Sequence, residues 1–111
     1  MVKLKVCSPG RAPIVVEIRK RRIVIGRSVR SDLCVDDPFT SRVHAELREE
    51  GKTWWVTDLG SANGTYLNGV RIRGTVAVAA GDRLQVGETI LELLPHAEPI
   101  SGAEVPMDEL G

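Results

Sequence analysis

Short apolar or alternating runs, separated by turn-forming residues, recur along the chain as far as residue 94, and they limit its fold more than any other feature. No segment repeats its apolar residues roughly every three to four positions, as an amphipathic helix requires. The runs are Val2–Cys7, Ile14–Ile18, Ile23–Ile25, Val43–Leu47, Trp54–Val56, Thr65–Leu67, Arg83–Val86 and Thr89–Leu94. Gly, Pro, Asn and Asp stand between them, as is typical of tight turns. Many short strands at this spacing predict an all-β sandwich or barrel.

Two of the turns have a sequence that favours a β-hairpin. Asn68-Gly69 lies between Thr65–Leu67 and Val70–Ile72, and Asn-Gly readily adopts the positive φ angles of a two-residue hairpin turn. Gly87 follows the run that ends at Val86 and is predicted to turn the last hairpin.

Length and composition indicate one folded domain followed by a different kind of segment. A chain of 111 residues, 42% of them hydrophobic, is long enough to bury one core. From Pro95 onward the composition shifts to Pro, Ala, Glu and Gly, so residues 1–94 are predicted to be the domain and residues 95–111 a flexible acidic tail. No run approaches the roughly 20 apolar residues of a membrane span, and no signal sequence is evident, so a cytoplasmic protein is expected.

The charges balance overall but are unevenly distributed. The chain has 15 basic and 15 acidic residues, yet residues 1–30 hold nine basic residues and residues 88–111 hold none. A basic first third also occurs in nucleic-acid-binding proteins, but aromatic residues are only 4% of this chain, which leaves few platforms for stacking bases. We interpret the basic residues as a solvated edge, and we expect neither nucleic acid nor a membrane as a partner.

The residues that commonly carry catalysis or bind metals are not spaced for either role. Cys7 and Cys34 are predicted to be reduced core residues, because two cysteines do not make a disulfide framework. The cysteines and histidines form no ligand pair and no phosphate-binding glycine loop is present, so neither a metal nor a cofactor is expected. Ser41, His44 and Asp58 are the residue types of a hydrolase triad, but the chain has no G-x-S-x-G motif. We expect no enzymatic activity and no small-molecule substrate.

Three predicted loops carry side chains that suit a small anion. They contain Gly26-Arg27, Ser41-Arg42-Val43-His44 and Ser61-Ala62-Asn63-Gly64. Arginine offers a planar fork of donors, serine a hydroxyl, and asparagine an amide that both donates and accepts. Taken alone, each motif is also an ordinary turn or surface sequence. In a β-sandwich, however, such loops can cluster at one end, where they would form a binding site.

The order of these motifs resembles that of the forkhead-associated (FHA) domain. They are followed by Asn68-Gly69 and Gly81-Asp82, and the stretch Asp58–Gly69 is close to the most recognisable part of that family. The resemblance covers Lys3–Leu94 and is closest to the small bacterial members. It implies a β-sandwich of two mainly antiparallel sheets with about eleven short strands, whose loops at one end bind phosphothreonine peptides.

The same resemblance implies roles for single residues. Arg27 resembles the arginine that binds the phosphate, and Ser41 the hydroxyl that donates to it. Arg42 would lie beside the phosphate or the peptide backbone. Asn63 resembles the amide that holds the peptide main chain.

Other positions are implied to support the site or to change its selectivity. Gly26 and Gly64 would supply room for the backbone at two tight places. His44 would be an internal brace between the binding loops. Ala62 is a departure, because many relatives carry a hydroxyl or a longer polar side chain there. Either backbone N–H groups or Arg42 would compensate, or the site would bind more weakly.

Phe39 precedes the motif serine by two positions, where some relatives carry a basic residue that selects an acidic residue in the peptide. An exposed Phe39 would instead favour an aliphatic residue three positions after the phosphothreonine. The alternative is that Phe39 packs inward and selects nothing. The resemblance also implies a preference for phosphothreonine over phosphoserine.

The function that these features favour is recognition of phosphothreonine peptides by a signalling adaptor downstream of Ser/Thr kinases. The partner would be a phosphorylated protein or the kinase itself. The alternative is a scaffold of the same fold that binds an unphosphorylated protein through a sheet face.

Overall fold

A computed structural model of the protein describes residues 1–95, so the predicted tail lies, from residue 96, outside the described residues. Those residues form eleven strands and no helix, and they contain no helix that could cross a membrane. The strands are β1 (Val2–Cys7), β2 (Ile14–Ile18), β3 (Arg22–Gly26), β4 (Leu33–Cys34), β5 (Ala45–Glu50), β6 (Thr53–Asp58), β7 (Thr65–Leu67), β8 (Val70–Arg71), β9 (Thr75–Val78), β10 (Arg83–Val86) and β11 (Thr89–Leu93). The predicted all-β class and the number of strands are confirmed.

The strands form two sheets of a sandwich. One sheet has the order β2-β1-β11-β10-β7-β8 and the other β4-β3-β5-β6-β9. Nearly all neighbouring strands pair antiparallel, and the exception is β3 with β4, which is parallel. Four of the ten connections between successive strands pass from one sheet to the other, namely β2–β3, β6–β7, β8–β9 and β9–β10.

The core lies between the sheets and follows the alternation of the strands. In β1 the buried residues are Val2, Leu4 and Val6, and the residues between them are half-buried. Leu4, Ile23, Leu47, Leu84 and Leu91 are among the largest fully buried side chains, and they come from both sheets. Because successive side chains of a strand point to opposite faces, each sheet turns one apolar face to the other.

Both predicted hairpins are present. Asn68 and Gly69 have φ angles of 52° and 85° and form the turn between β7 and β8. Gly87 has a φ of 66° and, with Glu88, connects the paired ends of β10 and β11. Positive φ angles bring the strands back together with the right-handed twist of a sheet.

One sequence expectation about the core is wrong. Cys7 and Cys34 are free thiols, but neither is a core residue, because Cys7 is half-buried and Cys34 is exposed. Cys34 lies on β4 at the edge of its sheet, and its Sγ atom is 3.5 Å from the carbonyl oxygen of Arg27. Its neighbour Leu33 is buried instead, since the two residues face opposite sides of the strand.

Candidate functional site at one end of the sandwich

Three loops meet at one end of the sandwich, and they carry most of the side chains singled out in the sequence. They are loop 27–32 after β3, loop 35–44 after β4 and loop 59–64 after β6. The Arg27 N–H donates to the carbonyl oxygen of Ser41 at 2.9 Å, and the Ala62 N–H donates to the Ser41 hydroxyl at 2.9 Å. The second loop therefore lies between the other two, with Ser41 bonded to both.

Gly26 permits the first two loops to approach. A Cβ atom at this position would lie 2.0 Å from the carbonyl oxygen of Arg42, far inside van der Waals contact. The same oxygen accepts a hydrogen bond from the Ser28 N–H at 3.2 Å. A larger residue would push apart the backbone segments that place Arg27 beside Ser41.

Arg27 is held at its inner end and open at its outer end. Its Nε–H donates to the carbonyl oxygen of Thr40 at 3.1 Å, and the residue as a whole is exposed. Within residues 1–95 its two terminal nitrogens take part in no hydrogen bond or ion pair. The guanidinium is thereby oriented while its planar fork of donors is left for another molecule.

The Ser41 hydroxyl is oriented in a comparable way. It accepts the hydrogen bond from Ala62, so its own proton is left to donate outward. Ala62 is exposed and contributes its backbone N–H to the loop contact, where a longer side chain would contribute a donor of its own. Ser41 and Arg27 thus present O–H and N–H donors from adjacent segments of backbone.

His44 joins the second and third loops from inside the protein. The residue is fully buried, and its Nδ1 accepts the Ser41 N–H at 3.0 Å. Since Nδ1 accepts, Nε2 carries the proton, and it donates to the carbonyl oxygen of Gly64 at 2.8 Å. This neutral imidazole satisfies one backbone donor and one backbone acceptor on two different loops.

Asn63 and Phe39 form a further contact between these loops. The Asn63 Nδ2 donates to the carbonyl oxygen of Phe39 at 2.8 Å, which fixes the amide orientation because a carbonyl can only accept. The amide oxygen has no donor within the described residues. The Phe39 side chain is 52% exposed, so the alternative that it packs inward as a core residue does not hold.

Two buried or half-buried carboxylates, which the sequence interpretation did not single out as site residues, hold the loops in shape. Asp37 accepts the N–H groups of Phe39 and Glu88 and the hydroxyl of Thr89, at 2.8 to 2.9 Å. Burial alone would raise the pKa of Asp37, but these hydrogen bonds outweigh it and lower the pKa. The local sequence signals only the Phe39 bond, since an Asp often accepts the N–H two residues on.

Asp58, the last residue of β6, holds the third loop in shape in the same way. It accepts hydrogen bonds from the Gly60 and Ser61 N–H groups and from the Ser61 and Thr65 hydroxyls. Burial opposes ionisation, but the four hydrogen bonds dominate, and the pKa of Asp58 is lowered. The Ser61 hydroxyl in turn accepts the Gly64 N–H at 2.9 Å, which closes the turn around Asn63.

The second loop is also anchored to the opposite sheet. Thr40 is buried, and its hydroxyl donates to the carbonyl oxygen of Val86 at 2.9 Å. A Cβ atom at Gly87 would lie 2.6 Å from the Thr40 Oγ1 and 2.8 Å from the backbone of Phe39. Position 87 of the β10–β11 turn therefore has to be a glycine for loop 35–44 to lie against it.

Two further arginines lie at this end of the sandwich. Arg42 is exposed and contributes its backbone carbonyl to the loop contact with Ser28. Arg71, on β8, packs its guanidinium against Gly64, where a Cβ atom would lie 2.7 Å from Nε and 3.2 Å from Nη2. Sequence reasoning did not single out Arg71, since only the β7–β8 hairpin brings it to the third loop.

The fold and the site define a β-sandwich with an oriented set of cationic, hydroxyl and amide groups on loops at one end. A family model described as FHA domain matches residues 23–87, and the chain belongs to that family.

The comparisons with known proteins agree with this assignment. FHA domain-containing protein FhaB of Mycolicibacterium smegmatis is 38% identical over 80 residues, which cover 72% of this chain and 52% of that protein. The FhaA FHA domain, solved in complex with the intracellular domain of Rv3910, has a TM-score of 0.72 and 28% identity, over 84% of this chain and 99% of that one. Mycobacterium tuberculosis EmbR, solved with a low-affinity phosphopeptide, has a TM-score of 0.75 and 25% identity, over 90% of this chain and 26% of that one. The chain spans about half the length of the curated relatives it matches.

Proposed function

We propose that this protein recognises phosphothreonine peptides, with the phosphate bound by the Arg27 guanidinium and the Ser41 hydroxyl. The observation that carries the proposal is the internal bonding of these two side chains. Each uses one polar group to fix its orientation, Nε on Thr40 and the Ser41 oxygen on Ala62, and each retains outward donors. A site prepared in this way needs little further ordering when a ligand binds.

The donors suit a phosphate better than a carboxylate. A phosphate ester carries about −1.5 to −2 charges at pH 7 and three acceptor oxygens. Hydrogen bonds to charged groups contribute roughly 1.5–3 kcal/mol each, so two or three of them support an affinity in the micromolar range. We expect a peptide with Asp or Glu in place of phosphothreonine to bind far more weakly, because it offers less charge and fewer oxygens.

The peptide chain would extend over the two neighbouring loops. The Asn63 amide oxygen is the group left to accept a main-chain N–H, and Arg42 lies next to Ser41 in the chain. The exposed Phe39 ring supports the expectation of an aliphatic residue three positions after the phosphothreonine. Titration of two phosphopeptides that differ only there, Ile against Asp, checks this, and equal or tighter binding of the Asp peptide would contradict it.

The setting that we propose is an adaptor in the cytoplasm that binds a protein marked by a Ser/Thr kinase, or the kinase itself. The FhaA complex with an intracellular domain and the EmbR complex with a phosphopeptide support this class of partner. The protein would act by binding alone, without catalysis, metal or cofactor. The predicted division into a domain of residues 1–94 and a separate tail is part of the same proposal.

The test is calorimetric titration of the full chain with a phosphothreonine peptide selected from an oriented library. Arg27→Ala and Ser41→Ala should each weaken binding by more than about tenfold, since each removes a charge-assisted bond. Arg30→Ala is the matched control, because Arg30 is an exposed arginine of the same loop. Phosphatase treatment of the peptide should abolish binding by the wild type. Unchanged affinity after either substitution or after dephosphorylation would reject the proposal and favour the scaffold alternative.

A further inference from the structure

Arg71 is a further cation at the binding loops, outside the set that the proposed function uses. Arg71 pairs with Tyr66 across the β7–β8 hairpin. Beside this pair, the Ile72 N–H donates a hydrogen bond to the Thr65 carbonyl oxygen at 2.9 Å. From there the side chain reaches back to Gly64, directly after Asn63. Arg71 is therefore positioned by a hairpin that is itself fixed by the Asn68-Gly69 turn.

The Arg71 guanidinium packs closely on Gly64. Three guanidinium atoms, Nε, Cζ and Nη2, would lie within 3.2 Å of a Cβ atom at Gly64, so the group lies alongside the glycine. Gly64 is buried and has a φ of 84°, a conformation that glycine adopts without strain. The glycine thus gives the third loop its turn and gives the guanidinium its place.

No carboxylate in residues 1–95 pairs with this guanidinium. Arg11, Arg19, Arg21, Arg22 and Arg48 each form an ion pair, whereas Arg71 forms none with the described residues.

The carboxylates in or next to these loops are already bonded elsewhere, Asp32 to Lys20 and Asp36 to Arg11. Asp37 accepts three hydrogen bonds and Asp58 four, from loop and turn groups and from the hydroxyls of Thr89 and Thr65. A guanidinium that lies against a glycine of a binding loop and has no partner among the described residues is suited to an anion supplied by the ligand.

We propose that Arg71 is a specificity-determining residue that binds an acidic side chain of the peptide close to the phosphothreonine. The proposal rests on the proposed function and adds a second charge to the ligand class, a phosphothreonine peptide with a neighbouring Asp or Glu. Arg71 reaches Gly64, the residue after Asn63, from the β7–β8 hairpin, whereas the Phe39 carbonyl oxygen bonds to Asn63 from the second loop. We therefore expect the acidic residue at a different peptide position from the one that Phe39 is expected to contact.

The experiment compares phosphothreonine peptides that carry Asp or Asn at each of the three positions on either side of the phosphothreonine. Binding is titrated at one ionic strength to the full-length wild type, Arg71→Gln and Arg73→Gln. Arg73 is the matched control, because it is an exposed arginine two residues away. At one position the wild type should bind the Asp peptide about two- to fivefold more tightly than the Asn peptide, the range of an exposed ion pair. Arg71→Gln should reduce that ratio to one, and Arg73→Gln should retain it.

Several outcomes would overturn the inference without touching the proposed function. They are an absence of any Asp preference in the wild type, a preference that survives in Arg71→Gln, or an equal loss in Arg73→Gln, which would indicate general charge attraction. In each of these cases the phosphothreonine peptide that carries Asn still binds, and the dephosphorylated peptide does not. If the wild type binds no phosphopeptide at all, the proposed function and this inference fail together.

Discussion

Three side chains at the proposed binding site each bond to the protein through one polar group and leave another unbonded within the described residues. Arg27 gives its Nε–H to Thr40, Ser41 gives a lone pair to Ala62, and Asn63 gives its amide nitrogen to Phe39. The groups left over are guanidinium N–H donors, a hydroxyl proton and an amide oxygen. Their directions are set before any ligand arrives, which lowers the ordering cost of binding.

Replacement of His44 should damage the fold and the site together. His44→Ala leaves the Ser41 N–H and the Gly64 carbonyl without their partner, and each unsatisfied buried group costs about 1–3 kcal/mol. For a domain of this size we expect the melting temperature to fall by roughly 10 °C or more, with weaker phosphopeptide binding. Circular dichroism and titration measure the two effects. An unchanged melting temperature with lost binding would place His44 in contact with the ligand instead.

The two loop carboxylates predict how stability depends on pH. The pKa of Asp37 and that of Asp58 are both lowered in the folded protein, so their stabilisation is complete above the unfolded value, near 4, and is lost as the pH falls through the folded values. The free energy of unfolding from urea titrations should therefore decrease below about pH 4. Asp58→Asn should lower stability at pH 7, and its free energy of unfolding should fall less steeply below pH 4 than that of the wild type. An equally steep fall in the variant would contradict this assignment.

Among single residues, those that stand in a recognisable short motif could be predicted from the sequence. Arg27, Ser41 and Asn63 stand in short motifs beside turn residues, and the three loops that carry them do come together. Asp37, Thr40 and Arg71 depend on partners that the chain supplies far away or across a hairpin. Residue type and spacing do not report such contacts, because the fold creates them.

Strands whose alternation is clear were predictable, and strands that rely on a neighbour were not. β1 and β11 match their predicted bounds within one residue, since their buried faces repeat with period two. β4 has only two residues and exists because it pairs with β3. β9 escaped the sequence interpretation as well, although Thr75–Val78 pairs with β6 along its whole length.

Two glycines in similar hairpin turns allow a test of how turns support the site. Gly87 and Gly69 have φ angles of 66° and 85°, but only at Gly87 would a Cβ atom meet other residues, the backbone of Phe39 and Thr40. Gly69→Ala should cost only the strain of the left-handed conformation, about 1 kcal/mol. Gly87→Ala should be clearly more destabilising and should also weaken phosphopeptide binding. Equal losses of melting temperature in the two variants would show that the contact is unimportant.

At the scale of the whole molecule, the last strand, β11, ends at Leu93, just before the described part of the chain ends at residue 95. The last backbone hydrogen bonds of the described residues run from the Leu94 N–H to the Lys3 carbonyl oxygen and from the Leu93 N–H to the Asp82 carbonyl oxygen, and the described core residues extend to Leu93. Removal of residues 96–111 should therefore leave both the melting temperature and the phosphopeptide affinity nearly unchanged. Differential scanning calorimetry of the full and shortened chains tests this. A fall of many degrees would show that the removed residues contribute to the domain.

The anchoring of the second loop to the opposite sheet has a consequence for synthesis. Asp37 bonds to Glu88 and Thr89 across 51 and 52 positions of the chain, and Thr40 bonds to Val86 across 46. Contacts this distant form only after most of the chain is available, so the site is among the last parts to mature. A nascent chain that has reached residue 80 on the ribosome already contains Arg27, Ser41 and Asn63, yet it lacks β10 and β11, to which the Ser41 loop is anchored. Competence to bind should therefore appear abruptly, when β10 and β11 emerge, and not gradually with chain length.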